Sequence, residues 1–294
     1  MYIGIDGGGT KTKFTLFDAQ GHVQDECVKP TVHVLTQSRE DCIRILAEGV
    51  QMLDPEGQAR VVAGLAGYGQ QESVRKTVQD ICACAFAERP HLIFSDVQIA
   101  LSGALDGQDG IVVIAGTGSI AFAQQNGVYK RCGGWGYQLG DEGSAYWIAK
   151  KMLAVYCQQV DGRLEKSCLY DLVQKACALE NEHDIISYVA QMHSHRTEVA
   201  ALARLNGQAA QAGDEYALEI YQEAAAELSR LIVTLSSDFQ KPFPVSYIGG
   251  VFEHAASFML EPLEKNLSAL PCTLVPPAHT PEYGAYLLGK TQGL

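Results

Sequence analysis

Short apolar runs alternate with segments of helical period through the first third of the chain. Tyr2–Asp6 and Lys13–Asp18 have the pattern of strands and flank a glycine cluster, and Ala19-Gln20-Gly21 turns the chain into a third strand at His22–Val28. Ser38-Arg39-Glu40-Asp41 has the spacing of a capping box and predicts a helix running to about Leu53. Arg60–Leu65 is then a strand, Gln70–Ala87 a helix, His91–Phe94 a strand and Val97–Leu105 a helix. This βββαβαβα order predicts a mixed sheet whose first three strands form a meander.

At residue 111 the opening pattern returns. Ile111–Ala115 is a continuous apolar strand, Gly116-Thr117-Gly118-Ser119 a glycine turn, Ile120–Gln124 a second strand and Asn126-Gly127 a hairpin turn. The spacing copies that from Ile3 to Gly21 with few identities, a weak internal repeat that predicts two related lobes. Gly143 to about Phe239 is mostly helical; within it Leu218, Tyr221, Ala225, Leu228, Leu231, Ile232 and Leu235 mark one long amphipathic helix from Ala217. A strand at Val245–Ile248, a helix near Phe252–Leu267, a strand at Thr273–Val275 and a last helix from Glu282 follow. The expected division is a first lobe over 1–110, joined by the C-terminal helix of 282–294, and a second over 111–281 with a helical insertion at about 155–240.

Charge narrows the range of partners. Across 294 residues, 22 basic and 34 acidic side chains leave a formal charge of −12. Residues 1–115 and 116–294 contribute −6 each (9 against 15, then 13 against 19), so no basic arm or patch marks a nucleic-acid or anionic-membrane partner. No run reaches the length of a membrane span. The nine cysteines are scattered without a CxxC pair, and the chain enters a strand at once without a leader-like stretch; both predict a cytoplasmic protein. His193 and His195 lie in a polar helical stretch with no third ligand, which predicts a solvated surface.

The 29 glycines matter for where they cluster. In Asp6-Gly7-Gly8-Gly9-Thr10-Lys11-Thr12, glycines let backbone N–H groups converge on an anion, while the hydroxyls and Lys11 add donors to phosphate oxygens. Asp6, at a strand end, suits Mg²⁺, a hard cation that takes oxygen ligands and keeps much of its water. The alternative is a glycine-rich hairpin without a ligand. Two tempting motifs fail on context. Gly4-x₄-Gly9-Thr10-Lys11 is one residue away from a P-loop but leads into a strand, and Gly116-x-Gly118-x-x-Ala121 spells a dinucleotide fingerprint but is also followed by a strand.

Taken together, the two strand–glycine loop–strand hairpins resemble the phosphate loops of the actin/Hsp70/sugar-kinase superfamily. Asp6–Thr12 looks like its first loop, Gly116–Ser119 like its second, and Tyr247-Ile248-Gly249-Gly250-Val251 like its adenosine segment. The run from Cys132 through Gly133-Gly134-Trp135-Gly136 to Gly140-Asp141-Glu142-Gly143-Ser144-Ala145 closely resembles the signature of N-acetylglucosamine kinases of the BadF/BadG/BcrA/BcrD ATPase family. The resemblance spans nearly the whole chain. It implies a two-lobed, ribonuclease H-like α/β fold with a mixed sheet and flanking helices in each lobe, ATP in the cleft between them, and a homodimer. The activity implied is transfer of the γ-phosphate of Mg-ATP to the 6-hydroxyl of an amino sugar.

Residue by residue, the resemblance places the catalytic base at Asp96, though an Asp after a strand is also a common helix N-cap. It places Gly134, Trp135, Asp141 and Ala145 at the sugar and Thr117 between sugar and γ-phosphate. Gly8, Gly9, Thr10, Lys11, Thr12, Thr117, Gly118, Ser119, Gly249 and Gly250 would hold ATP, and Asp6 the metal. Trp135 could also be a packed aromatic between lobes, and Glu142 a cap for the helix that follows. The animal enzymes carry Asn at two sugar-contacting points where this chain has Val32 and Ile120, so His33 or Thr31 would have to compensate, and N-acetylmuramate or glucosamine becomes a credible substrate. A further alternative is an ATPase that activates a radical dehydratase, which needs interface cysteines for an iron–sulfur cluster; Cys132 has no evident partner. An ATP-bound sensor without turnover is the remaining rival, and the clustered cysteines of zinc-containing ROK kinases are absent.

Overall fold

The structure is a computed structural model that describes residues 1–69, 71–192 and 196–294. The expected helix start at Gln70 and the pair His193 and His195 lie outside the described residues. The chain divides into two compact units, Met1–Asp109 with Pro276–Leu294, and Gly110–Val275.

In the first unit, β1 (Tyr2–Gly7), β2 (Lys11–Phe17) and β3 (Val23–Pro30) form the expected meander; α1 (Arg39–Leu53), β4 (Arg60–Leu65), α2 (Glu72–Phe86), β5 (His91–Ser95) and α3 (Asp96–Ala104) follow. The sheet order is β3-β2-β1-β4-β5, with β1 antiparallel to β2 and parallel to β4. Helix α1 starts where the sequence pattern puts it. Ser38 Oγ accepts the Asp41 N–H at 3.1 Å, and the helix buries Cys42, Ile45, Leu46, Val50 and Leu53 at helical spacing.

Strand alternation sorts β1 onto two faces. Ile3 and Ile5 are fully buried in the core under α1 and α2, beside Phe14, Val61 and Ala63. Burial of each such large side chain contributes roughly 1.5–3 kcal/mol. Gly4 and Asp6 point to the other face.

In the second unit, β6 (Gly110–Ala115), β7 (Ser119–Gln125) and β8 (Val128–Gly133) repeat the meander, the last across the Asn126-Gly127 turn. Helices α4 (Ala145–Val160), α5 (Cys168–Ala176), α6 (Ile185–Met192), α7 (Arg196–Ala201), α8 (Ala203–Gln211) and α9 (Glu215–Ser236) come next, then β9 (Phe243–Ile248), α10 (Gly250–Leu267) and β10 (Cys272–Val275). The order β8-β7-β6-β9-β10 is that of the first sheet, element for element. The weak sequence repeat is therefore a real duplication of topology. Helix α9 buries Ile220, Tyr221, Ala225, Leu228, Ile232 and Leu235 in this unit's core with Ile111, Val113 and Ala121. No helix among the described residues is long and apolar enough to cross a membrane.

The chain then returns to the first unit. Helix α11 (Pro281–Thr291) crosses α3 on the sheet face that carries Gly4 and Asp6, and Val62, Phe94, Ile99, Ala285 and Leu288 form the core there. The crossing depends on the absence of side chains. A Cβ on Gly284 would collide with the Ile99 carbonyl and the Gly103 amide, and one on Gly4 with the Glu282 carbonyl. Gly284→Ala is expected to lower unfolding stability by about 1–3 kcal/mol in a urea titration. Gly9→Ala, with nothing within 4 Å of the added carbon, should change it by less than about 0.5 kcal/mol. Equal effects for the two variants would refute the packing argument.

Candidate functional site

The first glycine loop leaves β1 and enters β2 through a tight turn in which the Gly8 N–H donates to the Lys11 carbonyl at 3.1 Å. Thr31 Oγ1, from the segment after β3, donates to the Gly8 carbonyl at 2.8 Å and accepts the His33 N–H at 3.1 Å, so the loop is held from behind. Gly9, Thr10 and Lys11 are exposed, and no atom lies within 4 Å of where a Gly9 Cβ would be. Thr12, grouped with them in the sequence, is fully enclosed and its hydroxyl has no partner among the described residues.

Three carboxylates gather near this loop. Asp6 is the penultimate residue of β1, Asp96 opens α3, and Glu282 lies in the first turn of α11, 4 % exposed and with Oε1 4.0 Å from Lys13 Nζ. Burial pushes the Asp6 carboxyl up to about 7; Glu282 and Asp96 add to the rise, while Lys11 and Lys13 oppose it. Burial also raises the Asp96 carboxyl above the usual carboxylate range, against the Val97 N–H bond and the nearby His33. Glu282 was seen in the sequence only as a helix start. Its long-range approach to Asp6 left no local signal.

Asp96 is not the helix cap. Ser95 is: its Oγ accepts the Gln98 N–H at 3.3 Å while the Gln98 side chain accepts the Ser95 N–H at 2.9 Å, a complete capping box. The Asp96 carboxylate accepts the Val97 N–H at 3.0 Å.

The second loop joins β6 to β7, with the Gly116 N–H donating to the Gly118 carbonyl at 2.9 Å. Two bonds tie it to the segment before α4. Ser119 Oγ donates to the Glu142 carbonyl at 2.6 Å, and the Ala145 N–H donates to the Gly116 carbonyl at 2.8 Å. Ser144, not Glu142, caps α4, because its hydroxyl is placed to accept the Trp147 N–H at 3.3 Å. Gly249 lies against this loop with φ +105°; a Cβ there would come 2.6 Å from the Ala115 carbonyl oxygen, so only glycine fits. Gly116 and Gly250 have open space above them. Thr117, Gly118, Ser119, Asp141, Ala145, Gly249 and Gly250 are therefore one neighbourhood.

Asp141 is 4 % exposed with φ +61°. It accepts the Gly136 N–H at 3.2 Å and forms an ion pair with Arg196, a residue the sequence did not single out. Burial raises the Asp141 carboxyl, with Arg196 and the Gly136 N–H opposing. Trp135 is 67 % exposed beneath the Arg131 guanidinium, whose carbon is 4.9 Å from the ring centroid, and is not a packed core aromatic of its unit. Gly134 abuts Ile120, where a Cβ would come 2.7 Å from Cδ1. Val32 is 5 % exposed in the first unit's core, so its side chain does not present to a ligand; His33, half-buried, is the neighbour with access.

Among the described residues no group of three or more His, Cys, Asp or Glu side chains is arranged to hold a metal unaided. Asp6 beside Glu282 offers hard oxygen donors instead, which fits Mg²⁺ held by one or two carboxylates together with phosphate oxygens and water.

Both sheets have the strand order that defines the two-lobed actin-like fold. A Chromobacterium violaceum crystal structure has that fold with a TM-score of 0.77 at 23 % identity, covering 98 % of this chain and 97 % of that one. A Streptomyces griseus ROK family glucokinase, solved with glucose and AMPPNP, reaches a TM-score of 0.60 at 15 % identity and covers 99 % of each chain. The chain belongs to the BadF/BadG/BcrA/BcrD ATPase family, whose profile matches residues 3–289. It is 28 % identical over 302 residues to the N-acetylmuramic acid/N-acetylglucosamine kinase of Clostridium acetobutylicum, covering 99 % of this chain and 98 % of that protein. It is 27 % identical to the glucosamine kinase GspK of Vibrio cholerae, covering 90 % and 89 %.

The raised Asp6 carboxyl has a consequence for stability. The folded state holds this proton up to about pH 7, whereas the unfolded chain releases it near 3.8, so stability falls as pH rises between the two values. Asp6→Asn removes that cost. With chelator and no nucleotide, the variant should be more stable than the parent near pH 8, by at most about 4 kcal/mol before partial solvation reduces it. Near pH 4 the advantage should vanish. Thermal unfolding at both pH values checks this, and a parent equally stable to the variant near pH 8 would refute it.

Proposed function

We propose that this protein transfers the γ-phosphoryl group of Mg-ATP to the 6-hydroxyl of N-acetylglucosamine or a closely related amino sugar, N-acetylmuramate and glucosamine included. That it is an ATP-dependent sugar kinase follows from the family match over residues 3–289 and from whole-chain relatives that are kinases of such sugars. The observation that carries the mechanism is the state of Asp96. It is half-buried at a helix start, yet Ser95 makes the cap, so its carboxylate is not spent on capping and accepts the Val97 N–H. A carboxylate so placed orients an attacking hydroxyl and takes its proton late, as a loose phosphoryl-transfer transition state requires.

The other parts have the chemistry for their roles. The glycine loops at Gly8–Thr10 and Thr117–Ser119 supply backbone donors to phosphate oxygens, with Lys11 as a point charge, and Gly249-Gly250 opens space for the nucleoside. Mg²⁺, when bound, neutralises phosphate charge; Asp6 and Glu282 are the carboxylates that would hold it directly or through water. Asp141 accepts sugar hydroxyls, and the exposed Trp135 face offers apolar contact to a sugar ring.

Sugar-dependent ADP release across N-acetylglucosamine, N-acetylmuramate, glucosamine, N-acetylmannosamine and glucose tests the reading. An amino sugar is expected to give the highest kcat/KM; ATP binding without ADP release on any of the five would overturn it. Asp96→Asn should lower kcat by at least about 10²-fold with ATP affinity nearly unchanged. Retained turnover would move the base away from Asp96.

A further inference from the structure

The second unit carries a cation at its glycine loop that the assigned roles leave unused. Arg196, the first residue of α7, directs Nη2 at Asp141 Oδ2, and its guanidinium carbon lies 5.5 Å from the Tyr137 ring centroid. The same Nη2 sits so close to the second loop that a Cβ on Gly118 would overlap it. Nη2 is also the nitrogen bonded to Asp141. Nε is shielded from solvent and has no acceptor among the described residues. The side chain as a whole remains 35 % exposed.

These facts distinguish a working cation from a structural ion pair. A guanidinium has five N–H donors in one plane, and Asp141 takes only part of that capacity. The carboxylate and the tyrosine face fix the plane, which a flexible ammonium would not need. An orphaned Nε in a low-dielectric spot costs free energy unless an acceptor arrives. The loop beside it is the one whose backbone donors suit a phosphate, and Gly118, lacking a side chain, leaves the guanidinium room at that loop.

We propose that Arg196 is a catalytic residue of phosphoryl transfer, donating from its guanidinium to the γ-phosphoryl oxygens held at the Thr117–Ser119 loop. The inference rests on the kinase reading above. In the step, the sugar hydroxyl oxygen forms its bond to the γ-phosphorus as the bond from phosphorus to the β,γ-bridging oxygen breaks. The bridging oxygen keeps the electron pair and leaves on ADP, and the hydroxyl proton passes to Asp96. Arg196 exchanges no proton, since a guanidinium stays charged; it offsets negative charge on the transferring oxygens. Asp141 then has two tasks, accepting sugar hydroxyls and aiming Arg196.

The test uses the full chain with Arg196→Gln and Arg196→Lys, ADP release on N-acetylglucosamine and N-acetylmuramate, and separate titrations of ATP and ADP. Arg196→Gln should lower kcat by about 10²-fold or more on both sugars, and should erase any preference for ATP over ADP while leaving ADP affinity unchanged. Arg196→Lys keeps the ion pair with Asp141, so its melting temperature should match the parent, yet kcat should still fall at least about tenfold because the planar fork is lost. Methylguanidinium added to Arg196→Ala should restore part of the turnover. If Arg196→Lys folds and keeps parental kcat, the proposal is overturned. A loss confined to N-acetylmuramate also overturns it, because the guanidinium would then read the sugar's carboxylate. A parent that releases no ADP on any sugar defeats the kinase reading itself, a result separate from both.

Discussion

The first unit depends on one bare position, Gly4, on a face of its central strand. In Ile3-Gly4-Ile5-Asp6 the isoleucines go to one side of the sheet, and the other side presents a glycine and then an acid. Because Gly4 is bare, the start of α11 can lie on the sheet, and because Gly103 and Gly284 are bare, α11 can cross α3 with backbone against backbone. That approach brings Glu282 to the end of β1. The alternation that makes a core on one side of the strand thus builds an acidic pocket on the other.

The duplicated sheet puts the same hairpin to a second use. In the first unit the loop after the central strand faces acids; in the second, the loop after β6 faces an acid already matched by an arginine. Ser119 and Ala145 join that loop to the Gly140–Ser144 turn, and Gly249 closes on it from the end of β9. Three segments separated in sequence are therefore held within one neighbourhood, two by hydrogen bonds and the third by close approach. A Cβ at Gly118 or Gly249 would disturb it through sterics alone.

A net charge of −12 looks unfavourable for a polyphosphate ligand. Local structure resolves the conflict. Backbone amides in the two loops are donors that carry no formal charge, Lys11 and Lys13 lie at the first loop and Arg196 at the second, and the carboxylates at Asp6 and Glu282 suit a divalent cation. Net charge speaks to partners that bind by broad electrostatic attraction, and it says little about a site built from a few convergent donors.

Much was legible in the chain itself. Strand and helix positions followed from periodicity and caps, since Ser38 and the stripe of α9 act within a few residues of themselves. Both glycine loops were visible as glycine clusters between strand patterns, and the Gly133–Ala145 segment through its resemblance to a family signature. The duplication showed in spacing alone. Other features were set by tertiary contacts, to which local pattern is blind. Glu282 reaches Asp6, Arg196 reaches Asp141, and Val32 turns into the core and leaves His33 with access. Asp96 shows the division most clearly: its position after a strand was visible, but whether it capped the helix or kept its carboxylate free depended on Ser95 and Gln98 completing the cap between themselves. Local sequence determines backbone conformation because its energies are short-ranged; the neighbours of a buried charge are chosen by how distant elements pack.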